Sequence, residues 1–110
     1  MTSAHRRQRG NETQNLATDW FRGHGWPHAE SAGSGRAGTD VLGMPGLCVE
    51  VKGRRDFVPT VWLRQHQGLA VPSVVVWRPD GYGQARIAEW PMMVTLGFGT
   101  QLLRGAGYGG

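Results

Sequence analysis

Apolar residues recur along this chain with three rhythms, each of which predicts a different kind of element. From Asn11 the rhythm is helical: Leu16, Ala17, Trp20 and Phe21 fall three and four apart, Asn11 and Gln14 form an N-x-x-Q pair suited to a helix start, and Gly23 and Gly25 stop it. Glu12, Leu16 and Trp20 lie four apart, so Glu12 is expected at the end of the core-facing stripe, pointing inward or along the edge of a cleft. Residues 31–39 (SAGSGRAGT) are small and glycine-rich and read as a loop or broken strand. Residues 40–44 and 47–52 read as two short strands joined by a Pro45-Gly46 turn. A hairpin centred there sets Asp40 across from Glu50, with facing side chains about 5 Å apart. Alternation puts Glu50 and Lys52 on one face and Val49 and Val51 on the other.

A short helix is predicted over residues 59–67, stopped by Gly68, with Val61, Trp62 and Leu69 as its apolar side. Residues 72–78 (PSVVVWR) carry an unbroken Val74-Val75-Val76 run, the mark of a strand buried on both faces, and Pro79-Asp80-Gly81 ends it. Residues 84–89 and 91–103 fit either a strand and a helix or two strands and a helix, and both readings stand. No internal repeat is present. The fold class expected is α/β, a small mixed central sheet flanked by helices.

With 110 residues the chain suffices for one domain, placed at residues 11–104, and any site must share its single core. Residues 1–10 (MTSAHRRQRG) read as a basic arm without structure of its own, and residues 105–110 (GAGYGG) as a flexible tail. Without a signal-like or membrane-length apolar run, the expected compartment is the cytoplasm. Cys48, the one cysteine, excludes an internal disulfide and suits a buried apolar position.

Charge narrows the partner. The net charge is +4 and the sequence pI about 10.2, which favours a polyanion such as nucleic acid. Of the 12 basic residues only Lys52 is a lysine, which suggests a position where a compact point charge is wanted and the rigid guanidinium fork would not serve.

Asp40, Glu50 and Lys52 are thus expected on neighbouring strands, facing the same side. Two carboxylates with room for water match the preference of Mg²⁺, which takes one or two carboxylates and keeps several waters. A lysine beside the ion can orient or deprotonate an attacking water and offset developing phosphate charge. The structural alternative is that Asp40 only caps or satisfies a turn and Glu50 with Lys52 forms a solvated cross-strand pair. Glu12 can simply favour the positive end of its helix, and Ser34 can cap a loop. Gln65 can reach the site from the helix that follows or stay exposed. The four histidines show no metal-ligand spacing. Trp26 and Tyr82 suit packing, or stacking on an unpaired base.

The segment G-T-D-V-L at 38–42, followed by C-V-E-V-K at 48–52, resembles the PD-(D/E)XK nuclease superfamily, with Asp40, Glu50 and Lys52 at the motif positions. Within that superfamily it is most similar to archaeal-type and phage Holliday junction resolvases. Those enzymes carry a helix glutamate matching Glu12 and an S-A-G-S segment, here residues 31–34, whose serine matches Ser34. Thr39 stands where the superfamily name has proline, and the step from Ser34 to Asp40 is longer than usual. The resemblance covers about residues 11–80. It implies a restriction-endonuclease-like core, catalysis by Asp40, Glu50, Lys52, Glu12 and Ser34, metal binding by Asp40, Glu50 and Glu12, and Mg²⁺ with Mn²⁺ as a substitute. The implied substrate is four-way or other branched DNA, and the implied assembly a two-fold homodimer.

Arg6, Arg7 and Arg9 of the arm, with Arg36, Arg54 and Arg55 around the motif, are the expected phosphate contacts, which hold DNA without reading its sequence. The alternatives are a nickase of the same superfamily indifferent to DNA structure, a catalytically silent basic DNA-binding module, and a structural subunit whose charge only aids solubility.

Overall fold

Two small sheets and the helices packed around them make up the computed structural model, which describes residues 3–33, 39–53, 58–64 and 71–109. The elements run α1 (Ser3–Gly23), β1 (Glu30–Ser31), β2 (Val41–Leu42), β3 (Cys48–Lys52), α2 (Pro59–Arg64), β4 (Ser73–Trp77), a 3₁₀ helix (Gln84–Glu89), β5 (Met92–Met93) and α3 (Leu96–Gly105). β3, β4 and β5 form one sheet in that order. β3 and β4 are parallel, with α2 in the crossover between them, and β5 joins β4 antiparallel. The expected mixed α/β architecture is therefore present. Among the described residues no helix is long and apolar enough to cross a membrane.

The valine run behaves as its sequence demands. Val74, Val75 and Val76 are all buried in the middle strand, where side chains meet protein on both faces. Val49 and Val76 pack with Ala17 and Phe21 of α1, while Glu50 and Lys52 alternate to the opposite face.

Several expectations are corrected. Residues 3–10 are part of α1, where an unstructured arm was expected. No residue there forbids a helix except Gly10, which costs only about 1 kcal/mol, and a helix nucleated on the sheet extends without a second nucleation penalty. The buried stripe of α1 is Thr13, Gln14, Ala17, Thr18 and Phe21, one position round from Glu12, Leu16 and Trp20. Small side chains let the helix approach the sheet closely: a Cβ on Gly53 would come within 3.2 Å of the Thr13 hydroxyl. Glu12 is thereby turned outward and is exposed.

Residues 40–52 do not form a regular hairpin. β2 pairs antiparallel with β1, Ser31 opposite Val41, and β3 pairs with β4. The Pro45-Gly46 turn itself forms, with the Leu47 amide donating to the Met44 carbonyl and Gly46 at φ 80°. Gly43 explains the change of partner. It lies at φ 77°, and any Cβ there would collide with the carbonyl oxygen of His28, so the chain leaves β2 pressed against the segment before β1.

In α2 Trp62 is buried, but Val61, expected beside it, is 52% exposed; Leu69 lies outside the described residues. Residues 84–89 form a 3₁₀ helix, not a strand. Of the expected tail at 105–110, the described residues 105–109 begin as the end of α3 and continue as its cap. The Tyr108 amide donates to the Leu103 carbonyl and that of Gly107 to Arg104, with Gly107 at φ 96°, a Schellman motif.

Candidate active site

Asp40 precedes β2 and returns the chain to β3. Its amide donates to the Val49 carbonyl (2.7 Å) and its Oδ2 accepts from the Val51 amide (2.8 Å), so its backbone and side chain straddle Glu50. The Glu50 carboxyl group stands beside that of Asp40, close enough to act on its proton affinity. Lys52 Nζ lies 3.5 Å from Glu50 Oε2, with the lysine side chain 15% and the glutamate side chain 10% exposed. The three residues expected to act together are brought together, on the sheet face turned away from α1.

Thr39 fastens this arrangement. Its hydroxyl accepts from the Val49 amide (2.8 Å) and lies within donor distance of the Val41 and Val49 carbonyls (2.9 and 3.1 Å). A proline in its place would offer none of these bonds. In the sequence Thr39 stands out only as the residue in place of proline, although a hydroxyl beside two extended segments is a bridging group.

Burial pushes the Asp40 carboxyl above its ordinary value of 3.8, and the Glu50 charge and hydrogen bond push the same way; the Val51 amide and the Lys52 charge only partly oppose them. Burial, followed by the Glu50 charge, also raises the Cys48 thiol, against a hydrogen bond from Ser73 that lowers it. Cys48 is therefore an inert packing residue, as its apolar surroundings suggested.

Two neighbouring carboxyl groups with an ammonium beside them suit a hard divalent ion once both are ionised, since its usual protein ligands are one or two carboxylates completed by water. Asp40 and Glu50 are the residues that could hold it. Glu12 is not brought to them. It pairs at 3.4 Å with Arg78, which is in phase with Val76 and so projects to the α1 face of the sheet, opposite Glu50. Among the described residues no three acidic, histidine or cysteine side chains cluster as a metal site.

Arg78 is the residue the sequence did not single out. Its side chain is only 11% exposed; Nε donates to the Tyr82 carbonyl (2.8 Å), Nη1 to the Thr13 hydroxyl (3.0 Å), and the guanidinium lies over the Trp90 ring. Its amide also donates to the Lys52 carbonyl (2.7 Å). It thus ties α1, the end of β3 and the turn after β4 into one unit. An Arg followed by Pro-Asp-Gly reads as a strand end, and nothing local marks it as a buried cross-link.

Of the expected phosphate contacts, Arg9 lies 3.9 Å from Asp80, and Arg6 and Arg7 share its helix. Arg36, Arg54, Arg55, Ser34 and Gln65 lie outside the described residues. Tyr82 has Arg86 stacked 3.7 Å above its ring, and Trp26 packs edge-on against Phe21, so both aromatics are engaged within the protein. No family model, characterised protein or solved structure matches the chain.

Proposed function

We propose that this chain is a metal-dependent endodeoxyribonuclease of PD-(D/E)XK type, with a restriction-endonuclease-like core, that cuts branched DNA and most specifically four-way junctions. The observation that carries the reading is the convergence of Asp40, Glu50 and Lys52 on one sheet face, with acids and amine in contact. The parallel β3–α2–β4 unit beneath them and the positive net charge support it.

Asp40 and Glu50 would hold Mg²⁺, or Mn²⁺ in its place. Such an ion supplies Lewis acidity toward the phosphodiester and lowers the pKa of a water that attacks it. The metal-bound form of Asp40 is its carboxylate, which the Val51 amide and the Lys52 charge favour against the burial and Glu50 charge that hold its pKa up. Lys52 orients the attacking water and offsets charge gathering on the phosphate oxygens. Thr39 and the Val51 amide keep Asp40 in place. Glu12 has no part in the ligand set, because Arg78 holds it on the other face.

A second reading, a DNA-binding module without catalysis, draws on the same contacts: Asp40, Glu50 and Lys52 satisfy one another without a metal. The two readings separate in one experiment. Incubated with Mg²⁺ and synthetic four-way, flapped or linear DNA, the proposed enzyme nicks the four-way junction at paired, symmetric positions. Equal cutting of linear duplex would remove junction specificity and keep the nuclease. Binding to all three without any cutting would support the silent module.

A further inference from the structure

Lys52 has an aromatic neighbour. In the parallel register of β3 and β4 its partner is Trp77, two positions on from the pair formed by Glu50 and Val75. Partnered residues of a parallel pair point to the same side, and alternation carries that side from Glu50 to Lys52 and from Val75 to Trp77. Val51 and Val76 fix the phase from the other side, since both pack in the core that holds Ala17 and Phe21 of α1. Trp77 therefore shares the sheet face of Glu50 and Lys52, on a strand about 4.8 Å away.

Exposure along this face rises in one direction. Val75 is fully buried and Glu50 is 7% exposed, whereas Lys52 and Trp77 are both partly exposed. Among the described residues the site thus opens at the carboxyl ends of two parallel strands, where ligands of open α/β sheets are usually bound, with an ammonium on one strand and an indole on the other. Trp62 and Trp90 are buried, so Trp77 differs from them in leaving part of its aromatic surface at that opening. Its backbone is pinned on both sides. The Trp77 amide donates to the Pro91 carbonyl (3.0 Å), and the next amide, that of Arg78, donates to the Lys52 carbonyl (2.7 Å).

We infer that Trp77 is a base platform: its indole receives the base of a nucleotide next to the phosphodiester held at Asp40, Glu50 and Lys52. The acids and the amine account for the charged phosphate. An uncharged ring beside them suits the adjoining base, because every base has a π-face that stacks on an aromatic ring whatever its sequence. A base inside a regular duplex must first be unstacked and unpaired to reach such a ring, and that cost is least where pairing is already broken. The inference rests on the nuclease reading and deepens it, since it gives the site a physical reason to prefer branched over linear DNA.

Single-turnover cleavage of a four-way junction by the parent, Trp77→Phe and Trp77→Ala tests the platform, with the same junction also made abasic at the nucleotide on either side of the cut. Trp77→Ala should lower kcat/KM by about 10-fold or more, the worth of one base–aromatic stack, and Trp77→Phe should keep most of the parental value. Removing the stacked base should cost the parent a similar factor and cost Trp77→Ala nothing further. Tryptophan emission gives a readout apart from cutting: the junction should quench it more in the parent than in Trp77→Phe. Parental rates in Trp77→Ala, a defect undiminished on both abasic junctions, or equal quenching would overturn the platform and leave the nuclease intact. A parent that binds the junction and never cuts it would remove the nuclease reading and the platform with it.

Discussion

Asp40 accepts a hydrogen bond from the Val51 amide at 2.8 Å while its carboxyl group stands beside that of Glu50, so the loop before β2 and the edge of β3 are joined at the point where two acids meet. The backbone fixes Asp40 and the Lys52 amine stands 3.5 Å from Glu50, so the two acids are held side by side with a cation against them.

The contact makes stability depend on pH. The folded-state pKa of Asp40 is raised above its unfolded value, chiefly by burial, so the proton is held more tightly in the native protein. Its contribution is fully present below the unfolded pKa, near 3.8, and is lost as pH rises through the folded value. In chelator, urea midpoints should therefore show a component that falls with rising pH across that window, and Asp40→Asn should remove it. Mg²⁺ should restore stability at neutral pH in the parent but not in Asp40→Asn.

Glu12 separates resemblance from geometry. Because Arg78 holds it on the α1 face, Glu12→Gln should leave cleavage within about twofold of the parent, a difference of under half a kcal/mol in the barrier. Glu50→Gln should lower cleavage by at least about 100-fold. Single-turnover rates on one junction substrate decide between them, and a Glu12→Gln defect as deep as that of Glu50→Gln would return Glu12 to the site.

Arg78→Ala should destabilise the fold by about 2–3 kcal/mol in urea denaturation, since the Tyr82 carbonyl and Thr13 hydroxyl lose their donor and the Trp90 ring its cover. Arg78→Lys should recover less than half of that, because one ammonium cannot reproduce the fork.

Gly43→Ala places a methyl group against the His28 carbonyl at a positive φ. The expected cost is about 2 kcal/mol or more, read as a lower thermal midpoint, with the β1–β2 pair the first part to lose amide protection.

Much of the site was legible because its signals are short-range. Alternation fixes Glu50 and Lys52 on one face, and the Pro45-Gly46 turn brings Asp40 back toward them whether or not a ladder forms. The run at 74–76 declared its own burial. What escaped depends on contacts distant in sequence. The rotation of α1 that turns Glu12 out is set by how close Thr13 and Ala17 can come to the sheet, and Arg78 gains its role only where residues 12, 13, 82 and 90 converge. The partner of β2 was missed because the steric reason, Gly43 against His28, joins segments fifteen positions apart.

The central claim meets its most direct test in metal-triggered cleavage of a labelled four-way junction by the parent chain, Glu50→Gln and Lys52→Ala. Nicking that begins only when Mg²⁺ or Mn²⁺ is added, vanishes in Glu50→Gln and falls by about 100-fold or more in Lys52→Ala is the expected result. Cleavage that survives either substitution unchanged, or a parent chain that binds the junction and never cuts it, would contradict the account.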